Sequence, residues 1–277
     1  MQRLRRGHHA QKLARARTVV VGAGPVAHIL PQAVLLPALS TDLVMQIQII
    51  FDPGCPWCYI GKRQLERALA MRPRIRAQLD WWPFLLNPDL PAEGIDRTTY
   101  LIRKFGSEAR VSRIHVAIAD VGQSVEIDFA FDRIRRTPNT INAHRLVRFA
   151  GLYERADDVV EALYYSHFVR GRDIGDIGVL VQIGREIGLD GRLLRMYLRS
   201  DADLATIYAE NARAHRLGIN GVPAFVFNGG LVTCGAQEPA VLARIIDVAR
   251  ESEPLPVAVA DDEAALAASL INDVGLS

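Results

Sequence analysis

The run Ile47-Gln48-Ile49-Ile50-Phe51 is apolar at four of five positions and stops at Asp52-Pro53-Gly54, the pattern of a strand closed by a turn. Just beyond, Leu65, Ala68 and Leu69 recur at helical spacing, so a helix is expected over 59–69. A second strand is expected over 78–86, rich in aromatic and aliphatic residues and ended by Asn87-Pro88. From about 95 to 200 the pattern becomes helical. Val159, Val160, Leu163, Tyr164, His167 and Phe168 form paired stripes four residues apart, behind an expected Asp157 or Asp158 cap. Val179, Leu180, Ile183 and Ile187 repeat the pattern from Asp176 to Gly188. A shorter helix follows Asp190 with Leu193, Leu194, Tyr197 and Leu198, and another carries Leu204, Ile207, Tyr208 and Ala212 up to Gly218.

The period then returns to that of strands. Residues 224–227 and 231–234 flank Asn228-Gly229-Gly230, and Asn-Gly between apolar runs is a strong hairpin signal because the turn needs positive φ at its centre. A last amphipathic helix is expected over 238–249, with Val241, Leu242, Ile245, Ile246 and Ala249 on one face. The predicted order is strand, helix, strand, helical block, helix, hairpin, helix.

The first predicted helix begins with the chemistry. Cys55-Pro56-Trp57-Cys58 places two cysteines where a strand and turn give way to a helix. The first N–H groups of a helix have no partner within it and point partial positive charge at what precedes them, which favours a thiolate at Cys55. A free thiol of pKa ~8.5 is about 3% ionised at pH 7, whereas such motifs at helix starts bring the first sulfur to ~7 or below. Cys58, a turn further in, is suited to attack a mixed disulfide formed by Cys55. The same spacing also serves zinc, but a closed zinc site needs four ligands. The one remaining cysteine is Cys234, and there is neither a second CxxC nor an H-x3-5-H pair, so a redox pair is preferred and no metal is expected.

Composition narrows the classes. A chain of 277 residues with 49% apolar content supplies a real core, and three cysteines are too few for a disulfide scaffold. Such cysteine usage fits a reducing, cytoplasmic setting. The net charge of +2 conceals an asymmetry: six basic residues lie in the first seventeen, and the last 27 residues hold six acids and no base. No basic face for nucleic acid is suggested. The apolar part of the first 44 residues is broken by Gly22, Gly24, Pro25, His28, Pro31 and Pro37, too often for a membrane span of ~20 residues. Residues 1–44 are therefore expected to be disordered or a non-native extension, with a targeting segment as the alternative and export left open.

Several segments together carry a family resemblance. Cys-Pro-x-Cys followed far downstream by Gly221-Val222-Pro223-Ala224 resembles the DsbA family of thiol oxidoreductases, a thioredoxin fold interrupted by a helical insertion. Asp52-Pro53-x-Cys55-Pro56-Trp57-Cys58-Tyr59-Ile60-Gly61-Lys62, Leu86-Asn87-Pro88, Thr137-Pro138-Asn139-Thr140, Ala143-His144-Arg145-Leu146 and Gly235-Ala236-Gln237 are similar to its FrnE-like branch. The resemblance runs from about 45 to 250. It implies an α/β thioredoxin-like domain from 45–94 and 201–250 and an all-helical insertion over 95–200; the acidic tail over 251–277, which the resemblance does not cover, is expected from its composition to be mobile.

The resemblance also implies site roles. Cys55 and Cys58 would be catalytic, Pro56 and Trp57 would shape the site, and Pro223 would be a cis proline beside them. A cis Pro223 leaves the backbone of Val222 to pair with an extended substrate. The expected activity is disulfide exchange or isomerisation with protein thiols or low-molecular-weight thiols, without a cofactor and with glutathione as a candidate co-substrate. The expected assembly is a monomer or homodimer with no membrane partner. Trp57 stands where the type member has histidine, so strong oxidising power is not implied.

Two alternatives accompany this reading. One is a glutathione-dependent transferase or isomerase of the kappa and hydroxychromene-carboxylate isomerase type, whose members place serine at the leading position. The other is a peptide-binding or chaperone module without turnover. Cys234 has two readings, a buried strand cysteine acting as a small hydrophobe or a third, regulatory thiol near the pair. His144 and His167 are expected to be hydrogen-bonded structural residues, and at least one of Trp81 and Trp82 to be core.

Overall fold

The computed structural model describes residues 43–251. The extension expected over 1–44 lies outside the described residues except at its last two positions, as does the acidic tail beyond 251. Strand β1 (Leu43–Phe51) leads into helix α1 (Pro56–Ala70) and then β2 (Ile75–Pro83), parallel to β1 with Ile49 opposite Trp81. The hairpin β5 (Ala224–Phe227) and β6 (Leu231–Cys234) completes a four-stranded sheet of order β2-β1-β5-β6. β5 runs antiparallel to β1, with Ile49 opposite Phe225. Both Asn228 and Gly229 have positive φ, as the turn signal requires.

Successive side chains of a strand point to opposite faces, and β1 shows what this does. Ile47, Ile49 and Phe51 enter the main core with Leu65 and Ala68 of α1 and Leu242 and Ile246 of α9 (Pro239–Glu251). Ile50 faces the other way and packs with Phe84, Ala224, Val226 and Ala214, the last from α8 (Leu204–Arg216). Trp81 is the buried member of its pair. Trp82 is half-buried beneath Arg213, whose guanidinium lies 4.5 Å from its ring.

The segment between β2 and α8 is helical, with α2 (Arg97–Phe105), α3 (Glu108–Ser124), α4 (Ile141–Gly151), α5 (Ala156–Tyr164), α6 (Ile177–Glu186) and α7 (Gly191–Arg199). A two-residue bridge, β3 (Ile95–Asp96) with β4 (Arg136–Thr137), interrupts its all-helical character. Asp176 and Asp190 cap α6 and α7 by accepting from the N–H groups of Val179 and of Arg192 and Leu193. α5 differs from expectation, because its N-cap is Arg155 and Asp157 and Asp158 sit inside the first turn, where their charge complements the helix dipole. The stripe at His167 and Phe168 continues as a π-helical turn over Tyr165–Val169. Arg145, buried in α4, donates to the carbonyls of Tyr197, Leu198, Ser200 and Ala202 and so closes the end of α7.

The second strand also departs from expectation. It starts three residues earlier and ends at Pro83: the Phe84 N–H still reaches the Phe51 carbonyl at 2.9 Å, and the two N–H groups after it turn away from β1. Leu85 donates to Asn211 Oδ1 at 2.8 Å and Leu86 to Asp52 Oδ2 at 2.8 Å.

Candidate active site

Cys55 is the N-cap of α1, with extended backbone, Pro56 in the first turn and no side-chain cap bond. Its N–H is held by the Asp52 carbonyl at 3.0 Å, and its own carbonyl accepts from Cys58 at 3.1 Å. Proline in the first turn removes an N–H that would have no partner there. Both thiols are free, and both residues are nearly covered, Cys55 5% and Cys58 2% exposed. Trp57 between them stands out at 41% exposure, at the rim.

The Val222–Pro223 peptide bond is cis, and Cys55 Sγ lies 3.7 Å from the Val222 carbonyl oxygen, to which the thiol donates. The structure therefore brings Cys55, Cys58, Pro56, Trp57, Val222 and Pro223 together across 167 residues of chain. The Gly235 N–H donates to the Pro223 carbonyl at 2.7 Å, joining the proline to the end of β6. Cys234 corrects the buried reading. It is exposed, since β6 is the sheet's edge strand and also exposes Leu231 and Val232.

Asp52 enters the sequence analysis as part of a turn and of the string that carries the resemblance, with no role at the site. It is 2% exposed. Its carboxylate accepts from the Gly54 N–H at 2.7 Å, the Leu86 N–H at 2.8 Å and the Thr140 hydroxyl at 3.2 Å. Burial nevertheless outweighs these three bonds and pushes the carboxyl up to about 6. Burial also raises the Cys58 thiol well above its usual range, with Cys55 and the Asp52 charge adding to it. The available signal was an acid three residues before the first cysteine, but its burial depends on Thr140 and Leu86, which are distant in sequence.

His144 and His167 occupy structural positions. The ring Nε2 of His144 is 3.2 Å from the Phe84 carbonyl, and Nδ1 of His167 is 3.2 Å from that of Arg172. Carbonyls only accept, so each of these nitrogens carries the hydrogen. Among the described residues no three His, Cys, Asp or Glu are grouped to hold a metal ion, and no helix is long and apolar enough to cross a membrane.

A dithiol at a helix start beside a cis proline, on a β-α-β unit joined to a hairpin, defines a thioredoxin-fold protein with a helical insertion. Residues 46–247 match the DSBA-like thioredoxin domain, and the chain belongs to that family. It is 24% identical to the uncharacterized protein YwbO of Bacillus subtilis over 206 residues, spanning 74% of this chain and 96% of YwbO. A probable DsbA oxidoreductase from Streptomyces coelicolor superposes with a TM-score of 0.70 at 26% identity, over 78% of this chain and 94% of that one. The cytosolic disulfide reductase DsbM from Pseudomonas aeruginosa, solved with GSH, shares the fold with a TM-score of 0.54 at 19% identity, over 75% and 100% of the two chains.

Proposed function

We propose that this chain, an oxidoreductase of the DsbA-like class, exchanges disulfides through Cys55 and Cys58 with protein or low-molecular-weight thiols in the cytoplasm. The observation that carries the reading is the approach of Cys55 Sγ to the Val222 carbonyl at the cis proline, 3.7 Å. An extended substrate strand laid along Val222 brings its own sulfur to Cys55. Cys55 thiolate attacks a substrate disulfide, forming a mixed disulfide and expelling one substrate sulfur as thiolate. Cys58 then loses its proton to Asp52 and attacks Cys55 Sγ, which closes the Cys55–Cys58 disulfide and releases the second substrate sulfur. The pair of electrons has passed to the substrate, and a small thiol such as glutathione restores the dithiol.

Burial of Cys58 defers its ionisation until a base acts, and the buried Asp52 carboxyl, with a pKa of about 6, is largely ionised at pH 7 and so can take the proton. Flux runs in either direction according to the potential of the pair against that of its surroundings, about 30 mV for each tenfold in equilibrium. Cysteine in place of serine at the leading position weighs against the glutathione-dependent transferase or isomerase reading. The test is covalent trapping. Cys58→Ser is expected to accumulate a reductant-sensitive adduct on Cys55, and Cys55→Ser to abolish exchange; exchange retained by Cys55→Ser overturns the mechanism.

A further inference from the structure

Tyr164, the last residue of α5, is fully buried, and its hydroxyl has no hydrogen-bond partner. A buried phenol without a partner is uncommon, because its hydroxyl keeps the cost of leaving water and recovers nothing. The ring is held on two sides. It stacks on Tyr59 with centroids 4.9 Å apart and planes 16° apart, and Phe51 meets it edge-on at 6.4 Å. Phe51 directly precedes Asp52 and Tyr59 directly follows Cys58, so α5 seats this phenol against the two chain segments that carry the buried acid and the second thiol. The two stacked tyrosines are used differently, for the Tyr59 hydroxyl already donates to Glu161 at 2.9 Å.

We propose that Tyr164 is a positioning residue for the second step of exchange: its unpartnered hydroxyl donates a hydrogen bond to Cys58 Sγ as that sulfur becomes anionic. This rests on the exchange reading given above. In the dithiol form the donor is unsatisfied. As the Cys58 S–H proton passes to Asp52, the sulfur becomes a strong acceptor and the phenol gains its partner. Tyr164 keeps its own proton throughout. The new bond is Cys58 Sγ to Cys55 Sγ, and the electron pair of the cleaved bond leaves with the substrate sulfur.

The electrostatic surroundings agree. Burial holds the Tyr164 hydroxyl well above its usual range, and negative charge on Cys58, then Cys55, Asp52 and Glu161, adds to this, so it remains a donor at every working pH. Charged groups on α1 and α5 are tied up in ion pairs, Lys62 with Glu66, Asp157 and Glu161 and Arg63 with Glu66 and Glu161, and the Tyr59 hydroxyl donates to Glu161; His144 on α4 and His167 in the π-helical turn are the histidines on the neighbouring elements. Both histidines are buried and pushed down to about 3, so they add no charge near neutrality.

Tyr164→Phe separates this role from packing. It keeps the ring and deletes only an unpaired hydroxyl, so the dithiol form should unfold at an unchanged or higher temperature. Single-turnover mixing with a model disulfide, followed by acid quench, should show resolution of the Cys55 mixed disulfide slowed about tenfold, while its formation by Cys55 keeps its rate and the rise of resolution with pH through about 6, which belongs to Asp52, stays in place. A resolution rate equal to that of the unaltered protein would overturn the proposal. If the unaltered protein forms no mixed disulfide on Cys55, the exchange reading itself fails, which is a separate result.

Discussion

Gly61 lies against Pro223 so closely that a Cβ placed on Gly61 would fall 2.7 Å from the proline Cγ and 3.3 Å from Phe225 Cζ. Neither atom is the end of a flexible chain, so α1 or the proline segment would have to move. Overpacking of this kind costs about 1–3 kcal/mol, while replacing glycine in a helix recovers up to about 1 kcal/mol. Gly61→Ala is therefore expected to lower the melting temperature by only a few degrees. Its larger effect should fall on exchange, about tenfold or more, because Val222 and Pro223 are displaced from Cys55. Insulin reduction and thermal unfolding measured together check this. Loss of stability with full exchange would mean that the contact serves packing alone.

How far the sequence disclosed this arrangement depended on whether a residue's partner was local. The hairpin at Asn228-Gly229 and the caps at Asp176 and Asp190 were legible because each signal is complete within four or five residues. Helix α3 carries no such signal: of its seventeen residues only Val111, Ile118 and Gly122 are buried, so it has no continuous apolar stripe. The end of β2 is not legible in the pattern, because Leu85 and Leu86 are apolar like a strand, yet Asn211 and Asp52 take their N–H groups. At the site, the cysteine pair announced itself by spacing. Asp52 and Tyr164 did not, since the chemistry of each comes from burial by elements more than thirty residues away.

Acid is expected to destabilise the fold through its histidines. Burial pushes His144 and His167 down to about 3, against about 6.5 unfolded, so their contribution is present above 6.5 and is lost as pH falls toward 3. Asp52 has the opposite sign. Its pKa is raised in the fold, so its contribution is present below the unfolded value and is lost as pH rises through about 6. Between pH 6 and 4 two histidines lose about 5 kcal/mol together while Asp52 returns about 2, a net loss of about 3 kcal/mol. Urea titrations at pH 7, 5.5 and 4 should show midpoints falling steadily, and a flat or rising series contradicts the assignment.

The three thiols should separate by accessibility. Cys234 is exposed on an edge strand, whereas Cys58 is buried and its thiol is raised by burial and by Cys55. Alkylation requires thiolate and access together. In the native, reduced protein at pH 7.5, Cys234 should react with iodoacetamide at about the rate of an unfolded thiol, and Cys58 at least about a hundredfold more slowly. Peptide mapping over a time course checks the order, and early modification of Cys58 would show that its cover opens readily.

Replacing Asp52 tests the proton path directly. The carboxylate accepts from two backbone N–H groups and the Thr140 hydroxyl, so an asparagine amide must turn its NH2 toward one of these donors. That mismatch costs about 1–3 kcal/mol. Above pH 6 the substitution also removes a buried charge whose displacement from 3.8 to about 6 is worth about 3 kcal/mol. The two effects nearly cancel, and Asp52→Asn should be close to the unaltered protein in stability at pH 8. Catalysis should not be spared. Resolution of the mixed disulfide is expected to rise with pH through about 6 in the unaltered protein, as Asp52 ionises, and to be slower by about a hundredfold without that inflection in the variant. An inflection retained by Asp52→Asn would assign the proton to another acceptor and leave Asp52 as the tie between the cysteine loop and the end of β2.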